Sequence, residues 1–176
     1  MNIKTLFASS LVAASLFGAT QPAFAAEILT PDTSQEIKTT NPEVKKLYER
    51  YSQSKIGDRV EKHGNWHFSQ QPVKSNQVRL NLQGTYHIGA NAYHPKRHVT
   101  LDKGKITLKE LDHIVRYAHV SYGLYESDTL PQGKIVIHTK DHNFYTLEVH
   151  KPLQSHRENV EINIEDLTHI TYDIQA

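Results

Sequence analysis

Beyond Gly64, apolar residues recur at every second position for most of the chain. Such alternation is typical of strands that bury one face and leave the other polar. Six or more short strands separated by turns indicate a mainly β chain with a minor α part, and we expect a small antiparallel barrel or a sandwich. The apolar positions of the main runs are Val78, Leu80 and Leu82; Tyr86, Ile88, Ala90 and Ala92; Val99 and Leu101; Ile106 and Leu108; Ile135 and Ile137; Tyr145, Leu147 and Val149; Val160, Ile162 and Ile164; Ile170, Tyr172 and Ile174.

Residues 105–114 match residues 161–170 without a gap, as KITLKELDHI against EINIEDLTHI. Ile, Leu, His and Ile are identical, and the Leu/Ile and Glu/Asp positions are chemically equivalent. Two alternating strands and a polar connection precede each copy. We therefore predict that the barrel or sandwich is built from two internal repeats, at approximately 76–117 and 133–173.

The matched segments leave one ambiguity, between helix and strand at 112–122. In the first copy, Thr107 and Glu110 form a capping-box pattern, and Leu111 and Val115 continue a helical stripe. The second copy keeps a cap-like Asn163 but then becomes rich in residues that favour strands. We favour a helical turn followed by a strand in both copies, and a longer helix in the first copy is the alternative.

The N-terminal part of the chain shows three patterns. Residues 1–25 resemble a Sec-type signal peptide, with a short positive start, an apolar stretch and an Ala-x-Ala site for cleavage near Ala25. Residues 26–40 lack periodicity and are interpreted as a flexible arm. An amphipathic helix is predicted at 42–53, because Asn41 is a good N-cap and Pro42 suits the first helical position. One β domain would then occupy 41–176.

Charge and cysteine content exclude several classes of protein. The chain has 20 Lys and Arg against 19 Asp and Glu, and cleavage of the leader would remove Lys4 and balance the two. A neutral chain argues against a nucleic-acid binder and against a polybasic membrane-surface protein. No Cys is present, so disulfides cannot support the core. We expect an exported protein, periplasmic or secreted, with no integral membrane segment after cleavage.

The 12 His are the compositional anomaly, and they suggest a metal site. If 139–141 form a hairpin loop, His138 and His142 face each other across two strands, and Asp141 adds an oxygen ligand. His94 and His98 flank a loop containing Pro95, with His87 as a third candidate. Neutral imidazoles suit Zn²⁺, Cu²⁺ or Ni²⁺, and haem iron less well. A transition metal or haem is therefore the first predicted ligand.

The same His have other interpretations. A second interpretation is that they are half-exposed polar positions on strands, and His113 and His169 are predicted to make structural hydrogen bonds. Imidazoles also gain charge near pH ~6.5, so acidification would make this neutral chain strongly positive.

Signatures of catalysis are lacking, since the sequence contains no G-x-S-x-G and no H-E-x-x-H motif. We predict a non-catalytic binding protein and no enzyme. The alternative to a metal or haem is a protein partner, bound by an envelope or secreted interaction module (an inhibitor, adhesin or assembly factor) through an aromatic sheet face. Tyr117, His119, Tyr122 and Tyr125 would supply that face, or else fill the core.

Overall fold

Helix α1 is the first regular element of the described residues. A computed structural model describes residues 39–54 and 66–176, and the predicted signal peptide at 1–25 and most of the predicted arm at 26–40 lie outside them. Helix α1 spans Pro42–Tyr51, and the side chain of Asn41 accepts a hydrogen bond from the Glu43 N–H. The helix starts where the sequence predicts and ends at Tyr51, before the predicted end at residue 53.

Nine strands and a second helix follow. The strands are β1 (Trp66–His67), β2 (Gln77–Ile88), β3 (Asn91–Tyr93), β4 (Arg97–Asp102), β5 (Lys105–Thr107), β6 (Gln132–Thr139), β7 (Phe144–Glu148), β8 (Glu161–Asn163) and β9 (Leu167–Gln175). Helix α2 spans Leu108–Val120, and short 3-10 turns lie at Ser155–Arg157 and Ile164–Asp166.

The main sheet is mixed and open, and this corrects the prediction of an antiparallel barrel or sandwich. Its order is β1-β4-β2-β9-β6-β7, with β3 paired to β2, while β5 and β8 form a separate two-stranded sheet. Strands β2 and β9 lie side by side in parallel at the centre. Parallel neighbours need a long crossover, which alternation alone does not reveal. The described strands do not close into a barrel.

Helix α2 resolves the ambiguity between helix and strand in favour of the longer helix. The hydroxyl of Thr107 accepts from the Glu110 N–H at 3.2 Å, and the Glu110 carboxylate accepts from the Thr107 N–H at 2.8 Å. In the second copy, Asn163 makes no such cap, and the chain becomes extended at Leu167. The favoured interpretation, a strand after the helical turn in both copies, is therefore wrong for the first copy.

The two matched segments contact each other. Strands β5 and β8 are antiparallel, and Ile106 lies opposite Ile162. Beyond this contact they differ, because 108–120 is helical whereas 167–175 is a strand. The larger repeat units at 76–117 and 133–173 stay a prediction from the sequence.

Two glycines allow β9 to approach both of its neighbours. A Cβ on Gly84 would lie 1.8 Å from the backbone oxygen of Tyr172, and one on Gly133 would lie 2.0 Å from that of Asp173. Gly133 also has φ of 111°, which L side chains rarely adopt. Gly84 therefore lies within a continuous β2.

The core lies between α2 and one face of the main sheet. Leu111, Ile114 and Val115 of α2 pack with Ile135 and Ile170 of the sheet, and all five are buried. Helix α1 packs against α2, and the Tyr51 hydroxyl donates to the Asp112 carboxylate at 2.8 Å. The opposite face of the sheet is not covered by either helix.

Candidate functional site

The β6–β7 hairpin has a longer turn than the sequence predicts. Its last pair is His138 with Phe144, so His138 does not face His142. His142 lies within the turn, with φ of 63°. The predicted cross-strand pair of imidazoles is therefore wrong, because the strands separate before they reach His142.

Asp141 stabilises this turn. Its carboxylate accepts hydrogen bonds from the Thr139 hydroxyl and from the Asn143 backbone and side-chain amides. These bonds, foremost the one from Thr139, lower the pKa of Asp141. The carboxylate that was predicted as a metal ligand is thus engaged within its own loop.

The second predicted cluster is also dispersed. His98 Nε2 lies 2.9 Å from the Ser69 oxygen, whereas His94 Nδ1 lies 3.3 Å from the Gly84 oxygen. His87 Nε2 lies 3.3 Å from an Asp173 carboxylate oxygen. Within 39–54 and 66–176, no three His, Asp or Glu side chains form a group that could hold a metal ion. The metal and haem interpretations therefore gain no support.

The structure brings together one pair of imidazoles that the sequence did not predict. The rings of His138 and His169 stack with centroids 4.3 Å apart and planes 1° apart. His138 Nε2 lies 2.8 Å from the Thr171 hydroxyl, and His169 Nδ1 lies 2.9 Å from the Thr168 hydroxyl. Burial, and then the facing His169, lower the pKa of His138. Only the β6–β9 register brings the two rings together, so no local pattern could reveal them.

The predicted structural hydrogen bond of His113 is present. Its Nε2 lies 2.6 Å from the Gln53 backbone oxygen, which joins α2 to the end of α1. Burial is the main cause of a lowered pKa of His113.

The aromatic segment that was proposed as a binding face lies inside the protein. Tyr117, His119 and Tyr125 are buried, and Tyr122 packs against the core. The His119 ring contacts the rings of Tyr86, Tyr122 and Tyr172. These side chains face the sheet from α2 and from the loop that follows it. The prediction that these rings fill the core is therefore correct, and the prediction that they form a binding face of the sheet is wrong.

The face of the main sheet that the helices leave uncovered is here called the open face. It is mostly polar, because alternation directs most of the apolar side chains of the strands toward α2. Its residues are His67 on β1; His98, Thr100 and Asp102 on β4; Arg79, Asn81, Gln83, Thr85 and His87 on β2; His169, Thr171, Asp173 and Gln175 on β9; Gln132, Lys134, Val136 and His138 on β6; Phe144, Thr146 and Glu148 on β7.

An open cleft of about 420 Å³ lies at one end of this face. The cleft contains positively and negatively charged side chains, because Lys134 lies between Asp173 and Glu148 in the strand register. Such a lining offers hydrogen-bond donors and acceptors and little apolar surface. The lining residues are Gln132, Gly133, Lys134, Thr146, Glu148, His150, Asp173 and Gln175.

Arg157 is held beside the cleft by the 3-10 turn Ser155–Arg157. Its Nη1 donates to the Thr146 backbone oxygen at 3.0 Å and to the Gln154 side-chain oxygen at 3.1 Å. Both acceptors are neutral, whereas Arg50 and Arg116 are paired with carboxylates. Toward the described residues, Nε and Nη2 of Arg157 make no further hydrogen bond. An oriented guanidinium with two free donors is suited to bind a carboxylate.

The fold and this surface define a class of protein. A mixed sheet with its first long strand and its last strand parallel at the centre, crossed by one helix, is a β-grasp domain. A model of the "Staphylococcal/Streptococcal toxin, beta-grasp domain" family matches residues 78–174. The chain belongs to this family.

Individual relatives come from Staphylococcus aureus. "Enterotoxin-like toxin X" is 53% identical over 131 residues, which are 74% of this chain and 64% of that protein. The chain therefore spans 64% of the length of the curated relatives it matches. A solved structure of staphylococcal enterotoxin-like X, described as a superantigen, has a TM-score of 0.70 at 52% identity. The match covers 76% of this chain and 93% of that chain.

A more distant relative was solved with a ligand. A superantigen-like protein from Staphylococcus aureus in complex with sialyl-Lewis X has a TM-score of 0.54 at 27% identity. The match covers 61% of this chain and 57% of that chain.

Family membership decides two expectations from the sequence. The family consists of non-enzymatic toxins, so the prediction of no enzyme is confirmed. Its members are secreted by Gram-positive bacteria, so secretion is supported and the periplasmic alternative does not apply. None of the helices in the described part of the chain is long and apolar enough to cross a membrane.

Proposed function

We propose that this chain is a secreted toxin that acts by binding sialylated glycoproteins on host cells, with Arg157 receiving the sialic acid carboxylate. Two solved structures of superantigen-like protein support the choice of ligand. One was solved with sialyl-Lewis X and one with 3-N-acetylneuraminyl-N-acetyllactosamine, at 27% identity each. Both ligands carry a terminal sialic acid, whose carboxylate is ionised at neutral pH.

The observation that carries the proposal is the state of the Arg157 guanidinium. Its Nη1 is engaged by Thr146 and Gln154, which fixes the plane of the group. The free Nε and Nη2 lie on one edge of the fork, the geometry that carboxylates bind in a bidentate manner. No conformational entropy of a mobile side chain then opposes binding.

The adjacent cleft suits the sugars that follow the sialic acid. Thr146 both lines the cleft and accepts from Arg157, so the carboxylate site and the cleft are continuous. Lys134, Glu148 and Asp173 offer charged partners for sugar hydroxyls, and hydrogen bonds to charged groups are the stronger kind.

The experiment measures binding of sialyl-Lewis X at neutral pH by surface plasmon resonance. We expect Arg157→Ala to weaken binding by about 10- to 100-fold, as loss of a charged hydrogen-bonded pair predicts. Arg79→Ala is the matched control, since Arg79 is also held by uncharged oxygens, of Thr100 and Ser69. Unchanged binding by the Arg157 variant, or equal binding of the same glycan without sialic acid, would contradict the proposal.

A second candidate function is the binding of an immune receptor as a superantigen. We infer it from the solved superantigen structure, because the match covers 93% of that chain with a TM-score of 0.70. Purified protein should then stimulate proliferation of T lymphocytes, and Arg157→Ala should retain this activity if the two surfaces are separate. Absence of proliferation with protein that still binds the glycan would remove this second candidate.

A further inference from the structure

The fold gathers much of the histidine excess on the open face. Among the His of the described residues, five lie there, one on each of the strands β1, β4, β2, β9 and β6. By contrast, His113 and His119 are buried on the covered side. The five are His67, His98, His87, His169 and His138.

Three of these imidazoles fall in one row across the sheet. His98 lies opposite Asn81, His169 opposite His138, and His138 opposite Phe144. The parallel register of β2 and β9 places Asn81 beside His169 and completes the row across five strands. Because neighbouring strands lie about 4.8 Å apart, side chains of the row follow one another across the sheet at about this spacing.

Fixed charges on the open face nearly cancel. The face has two positive side chains, Arg79 and Lys134. It has three carboxylates, on Asp102, Glu148 and Asp173. The Glu148 carboxylate is also paired with Lys151, and the Asp173 carboxylate lies 3.3 Å from His87. In the adjoining turns, Lys140, Asp141 and Asp166 line a separate cleft against β8. With neutral imidazoles the face therefore has no excess of positive charge.

Acidification changes this balance. Imidazole side chains in general gain positive charge as the pH falls through ~6.5, and this face concentrates five of them. Burial, and then the facing His169, lower the pKa of His138. Because the fixed charges leave only one excess carboxylate, protonation of two or more imidazoles would change the sign of the net charge of the face.

We propose that the open face is an acid-activated binding surface for a sulfated polysaccharide. Sulfate esters stay ionised in mild acid, so the partner keeps its charge while the face gains the opposite one. The next row, with Gln83, Thr171 and Thr146, offers hydrogen-bonding groups for sugar hydroxyls. A lipid surface fits less well, because Phe144 is the one large exposed hydrophobic side chain of the described open face.

This surface is separate from the Arg157 site in its chemistry. The Arg157 site is built on a guanidinium, a group that is charged at neutral and mildly acidic pH alike, whereas the open face is rich in imidazole, the side-chain type that gains charge in mild acid. The acid-activated surface therefore does not depend on the proposed binding of sialic acid.

Heparin immobilised on a sensor surface is the probe, with affinity measured at pH 7.4 and pH 5.5 at one ionic strength. We expect the affinity of the full chain to rise at least about tenfold in acid. The variant His98→Gln, His138→Gln, His169→Gln should lose most of this gain. The control His142→Asn, His156→Gln removes two imidazoles from outside the open face and should keep the gain.

Three results would overturn the proposal. They are equal heparin affinity at both pH values, a gain that persists in the triple variant of the row, and acid-dependent binding of phosphatidylserine vesicles without binding of heparin. If the triple variant does not fold, the single variant His169→Gln replaces it and should reduce the gain at least about twofold. Arg157→Ala should keep the full gain, and this result separates the proposal from the sialic acid site.

Discussion

The covered and open faces of the main sheet carry the same kinds of ionisable side chain, but these are buried on the covered face and partly exposed on the open face. On the covered side, Arg116 and Asp112 are almost fully buried and paired, and His119 is buried with no hydrogen-bond partner for either ring nitrogen among the described residues. On the open face, His138 and His169 remain partly accessible to water. The difference teaches that burial, and not residue type, decides whether an ionisable group here is fixed in one charge state within the fold or stays accessible to solvent and to a partner.

On the covered side, the guanidinium of Arg116 links α1, α2 and the connections between strands. Arg116 donates to Asp112 at 2.6 Å, to the Tyr125 hydroxyl at 2.8 Å and to the Val149 backbone oxygen at 3.3 Å. Burial opposes its charge, but Tyr125, Asp112 and Tyr51 outweigh that effect and raise the pKa of Arg116. This group is therefore a fixed structural charge.

The largest expected effect comes from breaking this buried pair. Asp112→Ala leaves the Arg116 guanidinium buried without its carboxylate, and we expect the free energy of unfolding to fall by about 3–5 kcal/mol. Urea denaturation followed by circular dichroism measures it. Asp102→Ala on the open face is the control and should cost less than about 1 kcal/mol. A loss below 1 kcal/mol for Asp112→Ala would show that the two faces do not differ as described.

The next effect concerns acid stability on the covered side. Burial, with Arg97 and Arg116, lowers the pKa of His119 to about 3. The unfolded chain takes up this proton near pH 6.5, so stability falls by about 1.4 kcal/mol per pH unit between those values. His119→Phe should reduce the loss between pH 7 and pH 4.5 by about 2–3 kcal/mol.

Denaturation curves at both pH values measure this change, with His142→Asn as the exposed control. An unchanged acid dependence in the His119 variant would mean that His119 does not titrate on unfolding.

A smaller effect tests the helix that covers the sheet. Thr107→Ala removes the hydroxyl that caps α2, and we expect a loss of about 1 kcal/mol in the free energy of unfolding. Asn163, its counterpart in the second matched segment, makes no cap bond. Asn163→Ala should change stability by less than about 0.5 kcal/mol. Equal losses at the two positions in thermal melts would contradict the difference between the two segments.

The smallest effect belongs to the open face. His169→Gln removes an imidazole that stacks on His138 and bonds locally to Thr168. Since surface substitutions usually change stability by less than about 0.5 kcal/mol, the variant should melt close to the parent at pH 7.4. A loss above 1.5 kcal/mol would show that this pair supports the fold as the buried groups do.

Local patterns predicted local structure well. The N-cap at Asn41 and the capping box at Thr107 and Glu110 both mark helix starts in the structure. The strand alternation placed Leu80 and Ile135 correctly in the core. The length of α2 was predicted less well, because the match with 161–170 favoured a strand where the first copy continues as a helix.

The candidate site was mostly beyond reach of the sequence. Arg157 became a candidate only through its bonds to Thr146 and Gln154 across a loop. The predicted ligands His138 and His142 were separated by a turn two residues longer than assumed. Spacing along the chain could not replace the strand register that sets these distances.

By itself the sequence determined a mainly β chain with an amphipathic helix at Asn41, a cysteine-free core and an excess of histidine, because these follow from periodicity and composition. The tertiary structure alone decided that β2 and β9 pair in parallel, which face α2 covers, and which imidazoles share the other. Pairing between distant strands is selected by the total burial of apolar side chains in the folded chain. No short segment contains that information.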